Sequence, residues 1–283
     1  MKLQRILTSK FLWRLFAYIC LIVGGFLALF PFYWMILNSL KPGWALTQWP
    51  PSFLPYNLTL ENYRYVFKFA NIARAFFNSL IVSVSVVVSN VVLSSMTAYA
   101  LAKLRFPGRE LLFWIIIAVM MLPFQILMMP LYLLMSNYRL LDTYWALILP
   151  TVVSAFSIFL LRQGFLSVPD DYIDAAKMDG ASHFRILFTI IFSMTKPIII
   201  TVMVINLYWT WNAFLWPYLV IIHDEMTTLP VMLARFQGVQ TYDEPRWGAI
   251  MAASTLTAAP LVIAYLFAQK KFVEAVSLSG LKM

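Results

Sequence analysis

Charged residues are scarce in this sequence, and their scarcity excludes an ordinary soluble domain. Only 12% of its 283 residues are charged and 62% are hydrophobic, whereas about a quarter of an average soluble domain is charged. Apolar runs recur along the whole chain, and no polar block between them is long enough to fold separately. We therefore predict an all-α polytopic membrane protein with a single transmembrane domain over residues 1–283.

Cysteine and histidine are nearly absent, which limits the chemistry that the chain can carry out. Cys20 is the single cysteine, so neither a disulfide framework nor a thiolate metal cluster can form. The two histidines, His183 and His223, fall in loops predicted at opposite faces of the membrane and cannot share a metal ion. No acid, base and nucleophile are clustered at the membrane surface. We expect neither a metal nor a cofactor in this chain, and no enzymatic activity.

The chain also lacks a nucleotide-binding loop and has no Asp, Glu, Lys, Arg or His inside its apolar runs. The pattern G-x-x-x-x-G-K-[ST], which cradles ATP phosphates, is absent. If ATP powers this protein, a separate subunit must hydrolyse it. Proton and ion pathways usually need ionisable groups in the bilayer, so a proton-coupled carrier is disfavoured. Because sodium can bind through carbonyl and hydroxyl oxygens, an ion-coupled secondary carrier stays as the alternative function.

Six apolar runs are long enough to cross a bilayer, which takes about 20 residues per helix. An even number of spans puts both termini on one side, and that side then carries two thirds of the 21 Lys and Arg residues. By the positive-inside rule, both termini are predicted to be cytoplasmic. The runs lie near residues 15–37, 76–101, 111–135, 143–161, 198–222 and 248–268.

Residues 38–75, between the first two runs, form an outer segment that is rich in Pro and Trp. From Thr59 to Ala75 its apolar residues recur at helical spacing. This pattern predicts an amphipathic helix lying on the outer leaflet. A contact with an external partner protein is compatible with the same pattern.

Polar side chains within the runs are candidates for a path across the membrane. The third run is interrupted by Pro123 and Pro130, and a proline inside a span kinks it, as a hinge or as tolerated curvature. Amide groups can bond sugar hydroxyls, and aromatic faces can stack on sugar rings. The candidate path residues on these grounds are Gln125, Asn206, Trp209 and Asn212.

A polar island, DAAKMDGA at residues 174–181, lies in the longest charged stretch of the chain. Pro169 and the acids after it favour a helix start, with Ser167 as the capping hydroxyl. Gly180 can adopt the left-handed conformation that ends a helix, and Ser182 can cap a second helix. The island is therefore predicted to form a helix, a sharp turn and another helix.

The island can act in either of two ways. Ala175 and Ala176 offer a low surface to another protein, while Ile173 and Met178 offer apolar anchors. Alternatively, the island packs only against the membrane helices of its own chain. The residue types alone leave these two possibilities open.

Residues 168–197 read VPDDYIDAAKMDGASHFRILFTIIFSMTKP, and this stretch carries a family pattern. It resembles the EAA loop of ABC-importer permease subunits, which is roughly P-x-x-x-x-E-A-A-x-x-D-G-A, a spacer and a proline. The positions in register are Pro169, Ala175, Ala176, Asp179, Gly180, Ala181 and Pro197. The resemblance covers nearly the whole chain and narrows to the carbohydrate-uptake branch, that of the second permease of the maltose transporter. Further matching residues include Pro31-Phe32-Tyr33-Trp34, Asn78-Ser79-Leu80, Ala98-Tyr99-Ala100, Leu141-Asp142-Thr143-Tyr144 and Trp211-Asn212.

The resemblance implies a type I ABC importer permease fold and a multi-pass position in a bacterial cytoplasmic (inner) membrane. It implies a loop over about residues 163–197 that couples to an ATPase, and half of a translocation path for a sugar, oligosaccharide or related neutral polyol glycoside. The partners implied are a second permease subunit, two ATPase subunits that bind ATP and Mg, and an extracytoplasmic solute-binding protein, with no nucleic acid. The residues implied in ATPase coupling are Asp174, Ala175, Ala176, Asp179, Gly180 and Ala181.

Two positions depart from the family pattern. Asp174 stands where the family usually has Glu, so its carboxylate reaches one methylene less far. Glu274 stands where a glycine is common, which weakens any inference about a contact between the C-terminal tail and the ATPase. The identity of the sugar is not encoded in any of these motifs.

Overall fold

The computed structural model describes residues 2–240 and 246–280, and within these ranges the regular structure is helical throughout. A π-helical segment, Ile186–Ile191, and two short 3-10 segments, Leu149–Thr151 and Asp224–Met226, join some of the α-helices. The α-helices are α1 Lys2–Ser39, α2 Gly43–Leu46, α3 Glu61–Phe69, α4 Ile72–Lys103, α5 Arg109–Met120, α6 Phe124–Asn137, α7 Tyr144–Ile148, α8 Ala155–Leu166, α9 Asp170–Met178, α10 His183–Arg185, α11 Phe192–Met194, α12 Lys196–Trp211, α13 Leu215–Val220, α14 Leu229–Gln240 and α15 Trp247–Gly280.

The described residues contain six apolar spans if each bent pair of helices is taken as one span. Three single helices are long and apolar enough to cross a membrane: Phe11–Ser39, Ile72–Lys103 and Trp247–Phe267. Three further spans are helix pairs bent at a short break: α5 with α6, α7 with α8, and the helical stretch His183–Met194 with α12. The prediction of an all-α polytopic membrane protein is confirmed.

The third span is broken at one of its two prolines. α5 and α6 meet at 96°, and Pro123 is the residue that precedes α6, with an extended ψ of 131°. Pro130 lies inside α6 without ending it. The proline kink was therefore predicted correctly, but only Pro123 marks the bend, because a proline can be accommodated within a membrane helix.

The boundaries of the fifth run, 198–222, were wrong. α12 ends at Trp211, and α13 is a separate short helix. The span instead pairs α12 with the preceding helical stretch from His183, at an angle of 91°. The break falls at Thr195, whose hydroxyl donates back to the Ile191 carbonyl at 2.6 Å, and Pro197 then occupies the first turn of α12, where a missing N–H costs nothing.

The chain divides into two compact units, and the first takes the chain up to Ala70 together with Phe236–Leu256. In this unit α1 is exposed at every residue from Phe11 to Leu29. Lys41, just after α1, is buried, and its ammonium lies 5.1 Å from the Trp34 ring. Burial lowers the pKa of Lys41 from its ordinary value. The predicted amphipathic helix is present as α3, although it ends at Phe69 rather than continuing to Ala75.

The second unit takes Asn71–Arg235 and the chain from Thr257 onwards. Its largest apolar cluster joins α4, α8, α9, the π-helical segment and α12, with Ala98, Leu161, Phe165 and Ile186 fully buried. α4 therefore lies at the centre of this unit. The prediction of one domain over residues 1–283 stays a prediction.

Candidate functional site

The polar island forms the predicted helix, turn and helix. α9 covers most of it, and Gly180 follows with a φ of +77°, the left-handed conformation that ends a helix. The Ser182 hydroxyl then accepts a hydrogen bond from the Arg185 amide at 3.4 Å and caps α10. We refer to Val168–His183, which contains this turn, as the coupling segment.

The predicted role of Ser167 was wrong. Its hydroxyl donates to the Gly164 carbonyl at 2.7 Å and so belongs to the C-terminal end of α8. Pro169 occupies the position before α9 and offers no side-chain cap. The acids in the first turn, Asp170 and Asp171, complement the N-terminal end of the helix dipole instead.

The coupling segment has an inward and an outward face. Ile173 and Ala176 are buried in the central apolar cluster, and Ala181 packs against it. Ile173 and Ala176 are thus unavailable to another protein, which corrects their predicted roles as an anchor and as part of a low surface. The structure exposes the other four candidate coupling residues, which are Asp174, Ala175, Asp179 and Gly180.

Three large apolar side chains on the outward face are further candidates for contact with a partner protein. Tyr172, Met178 and Phe184 are 55%, 88% and 61% exposed. Met178 was proposed from the sequence, whereas Tyr172 and Phe184 were missed. Both residues are visible beside the island in the sequence, but their outward direction depends on packing with distant helices and gave no sequence signal.

The start of the coupling segment is bonded to the end of α4. The Lys103 ammonium donates to the Val168 carbonyl and to Asp170 Oδ1, both at 2.6 Å. The Lys103 side chain is 5% exposed. Its hydrogen bond and positive charge hold the pKa of Asp170 below its ordinary value.

The end of the coupling segment is bonded to the same helix. The Tyr99 hydroxyl and His183 Nδ1 form a hydrogen bond of 2.8 Å, with their ring centroids 5.8 Å apart. Tyr99 itself is buried, at 4% exposure. The segment is therefore attached to α4 at both of its ends.

A buried arginine joins three helix ends beside this attachment. Arg162, near the end of α8, donates through Nε to the Leu101 carbonyl at 3.2 Å and pairs with Glu110 of α5 at 3.2 Å. Its guanidinium also stacks on the Phe113 ring, 3.8 Å from the centroid. These contacts satisfy a cation that is only 8% exposed.

A cavity of about 390 Å³ opens in the second unit, away from the coupling segment. Two of the four candidate path residues, Asn206 and Trp209, line it, while Gln125 and Asn212 lie elsewhere on exposed helix ends. The Asn206 amide nitrogen donates to Ser157 Oγ at 3.0 Å and to the Val202 carbonyl at 2.8 Å. Its carbonyl oxygen is therefore the group that can accept a hydrogen bond from a ligand.

The cavity lining combines aromatic rings with hydroxyl groups. Trp209 is 49% exposed and packs edge-on against Phe156, with centroids 5.3 Å apart. The Thr228 hydroxyl is buried and finds no hydrogen-bond partner among the described residues. The described lining contains no Lys, Arg or His and consists of Ser79, Val82, Val86, Asn90, Phe124, Leu147, Pro150, Thr151, Val153, Ser154, Asn206, Trp209, Thr210, Ala213, Trp216, Pro217 and Thr228.

The Ile72 end of α4 holds a loop, residues 221–229, through one buried amide. Asn78 Nδ2 donates to the carbonyls of Glu225 at 2.9 Å and Thr227 at 2.8 Å, and Asn78 Oδ1 accepts from the Tyr144 hydroxyl at 2.7 Å. Ser79 Oγ accepts from the Leu229 amide at 2.8 Å. The motif Asn78-Ser79 thus fixes this loop to α4.

The same loop is fastened to the turn before α7. Asp142 has a φ of +59°, and its Oδ1 accepts from the amides of Ile222 at 3.0 Å and His223 at 3.1 Å. Its Oδ2 is bonded to His223 Nδ1. Burial pushes the pKa of Asp142 upward, but the bonds from His223 and Ile222 outweigh it, and the pKa is lowered. The same hydrogen bond with Asp142 raises the pKa of His223.

Comparison with known proteins gives the class. The chain belongs to the family described as "Binding-protein-dependent transport system inner membrane component", which matches residues 90–277. The protein is thus a bacterial inner-membrane transport component, as the resemblance to importer permeases predicted, and its family is one of transporters. The described residues include no group of three or more His, Cys, Asp or Glu placed to hold a metal ion.

Three proteins illustrate what the chain is similar to. It is 35% identical over 261 residues to the arabinooligosaccharides transport system permease protein AraQ of Halalkalibacterium halodurans, covering 91% of this chain and 92% of that protein. It is 32% identical to the sn-glycerol-3-phosphate transport system permease protein UgpE of Shigella flexneri serotype 5b, covering 92% and 94%. A chain from the crystal structure of a bacterial ABC transporter involved in the import of the acidic polysaccharide alginate superposes with a TM-score of 0.82 at 26% identity, covering 93% and 98%.

Proposed function

We propose that this chain is the transmembrane permease subunit of a binding-protein-dependent ABC importer for a sugar or oligosaccharide. The observation that carries the proposal is the coupling segment. Its outward face presents exposed acids and large apolar side chains, while its inward face and both ends are fixed to the membrane helices. A surface of this kind suits a partner that pushes on the permease.

The partner in this proposal is an ATPase subunit that binds the coupling segment. The polar and small residues that contact the ATPase are Asp174, Ala175, Asp179 and Gly180. Additional apolar contact area comes from Tyr172, Met178 and Phe184. Lys177 pairs with Asp174 at 3.1 Å. The Asp174 side chain, which is shorter than the Glu of the family pattern, is therefore partly engaged within its own helix. Two ATPase copies bind ATP and Mg, a second permease completes the path, and a solute-binding protein delivers the cargo.

The coupling segment is cytoplasmic in this proposal, since the excess of Lys and Arg falls on its side of the membrane. The loop at residues 221–229 then faces the solute-binding protein. Both placements follow from the charge distribution and from the alternation of the six spans.

The cargo in this proposal is an uncharged sugar or related glycoside. The names of the relatives include arabinooligosaccharides, but also the anions sn-glycerol-3-phosphate and alginate. The cavity favours the neutral class, because the residues described in its lining offer hydroxyls, amides and two tryptophan rings and include no cation to balance a phosphate or carboxylate. The partner permease can contribute further groups to the path.

The function is tested by purifying the tagged chain from its native membrane and identifying the proteins that accompany it. An ATPase, a second permease and a binding protein are expected. The assembly is then reconstituted in vesicles, where uptake should require ATP and the binding protein. Uptake by this chain alone that collapses with an ion gradient while ATP stays high would instead establish the ion-coupled secondary carrier, which nothing in the comparisons favours.

A matched pair of variants tests the docking surface itself. Met178→Asp places a charge on the outward face of α9, where the side chain is 88% exposed, and should reduce the amount of ATPase retained. The control is Tyr138→Asp, which places the same charge at a 68% exposed site in the loop after α6, outside the membrane spans. Equal ATPase recovery from both variants would contradict docking at the coupling segment.

A further inference from the structure

The coupling segment is attached at both ends to a single face of α4. Lys103 bonds Val168 and Asp170 at the start of the segment, and Tyr99 bonds His183 at its end. Tyr99 and Lys103 are four residues apart, so their side chains leave the helix from the same face. A displacement of the segment therefore acts on α4 at two points one turn apart.

The middle of the segment packs into an apolar cluster that α4 shares with the π-helical segment and other helices. Ile173 and Ala176 belong to the apolar cluster that contains Ala98, Tyr99 and Ala102 of α4. Close-packed side chains transmit strain because they leave little free volume. The segment is thus bonded to α4 by polar contacts at its two ends, while its middle packs into the cluster to which α4 also belongs.

α4 extends without interruption to the opposite face of the second unit. It has 32 residues and contains no proline or glycine, so it spans about 48 Å at 1.5 Å per residue. At its far end Asn78 and Ser79 hold the loop at residues 221–229 through three hydrogen bonds of 2.8–2.9 Å. One continuous helix therefore contacts both the coupling segment and this loop.

The alternative route follows the backbone from the segment into α12. This route passes through the π-helical segment Ile186–Ile191 and then turns by 91° at Thr195. A break of this size can absorb a displacement as a change of angle, as hinges do. An unbroken helix such as α4 has no such hinge and passes the displacement along its axis instead.

We propose that α4 is the element that carries movement of the coupling segment to the loop at residues 221–229, with Tyr99 and Lys103 as the positioning residues that attach the segment to it. This inference rests on the proposed function, because it requires an ATPase to move the segment. Asn78 is the corresponding attachment at the far end of α4.

The test uses the complete reconstituted importer and measures solute transported per ATP hydrolysed. Lys103→Met keeps the aliphatic stem and removes the ammonium group, and Tyr99→Phe keeps the ring and removes the hydroxyl. We expect each to lower the ratio several-fold and the double variant to lower it about tenfold or more, the scale of losing one or two strong hydrogen bonds. Lys103→Arg keeps a cation within reach of Asp170 and should retain most of the ratio.

The matched control is Arg105→Met, which removes a cation two residues further on. Arg105 acts on Asp170 only through its charge, without a hydrogen bond or ion pair among the described residues, so its variant should keep most of the wild-type ratio. If Tyr99 and Lys103 only support folding, their variants will yield less assembled importer with an unchanged ratio, and that result overturns the inference. A wild-type assembly without ATP-dependent uptake would overturn the proposed function itself.

A double-mutant cycle tests the far end of α4. Asn78 and Lys103 are 25 residues apart in one helix, about 37 Å, and substitutions at that distance are normally additive. If α4 connects them, adding Asn78→Ala to Lys103→Met should lower the ratio by much less than Asn78→Ala does alone. Multiplicative effects on the ratio would show two independent routes and overturn the role of α4.

Discussion

Gly180 allows the coupling segment to turn because its backbone adopts a φ of +77°. A Cβ built at this position would meet no atom within 4 Å, so any cost of substitution comes from the backbone alone. That cost is about 1–3 kcal/mol for a non-glycine residue and is greatest for a β-branched one.

We predict that Gly180→Val inserts normally but loses most ATP-driven uptake, because the turn can no longer present α9 and α10 together. Gly180→Asn is the matched control, since asparagine tolerates the left-handed conformation, and it should retain far more uptake. Membrane-inserted protein, uptake and solute-stimulated ATP hydrolysis are measured together. Normal stimulated hydrolysis in the valine variant would count against docking by this segment.

The Asp142–His223 pair makes the hold on the loop at residues 221–229 depend on pH. Because the pKa of His223 is raised, the contribution of protonated His223 to the stability of the loop is complete below the ordinary value of 6.5. That contribution is lost as the pH rises through the raised value. Because the pKa of Asp142 is lowered, the contribution of its carboxylate to the stability of the loop is present above the ordinary pKa of 3.8. That contribution is lost as the pH falls through the lowered value. Asp224 and Glu225 also raise the pKa of His223.

We predict that hydrogen-exchange protection of the Ile222 and His223 amides declines once the pH exceeds the raised pKa of His223. Protection factors, corrected for intrinsic exchange at each pH, provide the measurement. His223→Gln should remove this decline while leaving the two amide bonds to Asp142 in place. A decline of the same size in that variant would show that another group is responsible.

At the scale of the helix, the Ile72 end of α4 depends on one buried amide, that of Asn78, beside the bonds that Arg74 and Ser79 make to the same loop. Asn78 is fully buried and serves two carbonyls and one hydroxyl. Its removal leaves the Thr227 carbonyl without its buried hydrogen bond, at a cost of about 1–3 kcal/mol. The Glu225 carbonyl keeps its bond from Arg74 Nε at 3.2 Å.

We predict that Asn78→Ala lowers the free energy of unfolding by about 2 kcal/mol or more. Asn137→Ala, at an exposed position near the end of α6, is the control and should change it little. Thermal unfolding of the purified protein in one detergent compares the two. Equal stability of the variants would mean that other contacts hold the loop.

The sequence predicted helices where the signal is local and failed where it depends on distant partners. Gly180 and Ser182 act on their own backbone, so the turn and the second cap were predicted correctly. The inward direction of Ile173 and Ala176 depends on α4, about 70 residues earlier in the chain, and could not be foreseen. Pro123 and Pro130 look alike in the sequence, but only the packing around them decides which one bends the span.

At the scale of the whole molecule, hydropathy and charge were sufficient to predict that the chain is a polytopic membrane protein. Long apolar runs and six spans followed directly from composition and periodicity, and the family match agrees with them. The two candidate path residues on α12 that line the cavity are one turn apart, whereas Gln125 and Asn212 lie at helix ends. The helix breaks that separate Gln125 and Asn212 from the two cavity residues depend on tertiary contacts, which hydropathy does not report.

We predict that uncharged sugars compete for uptake at concentrations at least tenfold lower than their phosphorylated counterparts, because burying an unpaired anion in this cavity is costly. Trp209→Ala should raise the KM for the sugar more than Trp209→Phe, which keeps an aromatic face. Uptake by proteoliposomes, with the binding protein saturated, provides both measurements. Preferential uptake of the phosphorylated solute would place the selective groups on the partner subunit.

Arg162 also bears on the order in which the protein is made. Its partners, Leu101, Glu110 and Phe113, all precede it in the chain, so each has left the ribosome before the arginine does. The cation can therefore be paired as soon as α8 is made, and it need not wait for a later helix. Synthesis from the N-terminus thus supplies the partners of this buried charge before the charge itself.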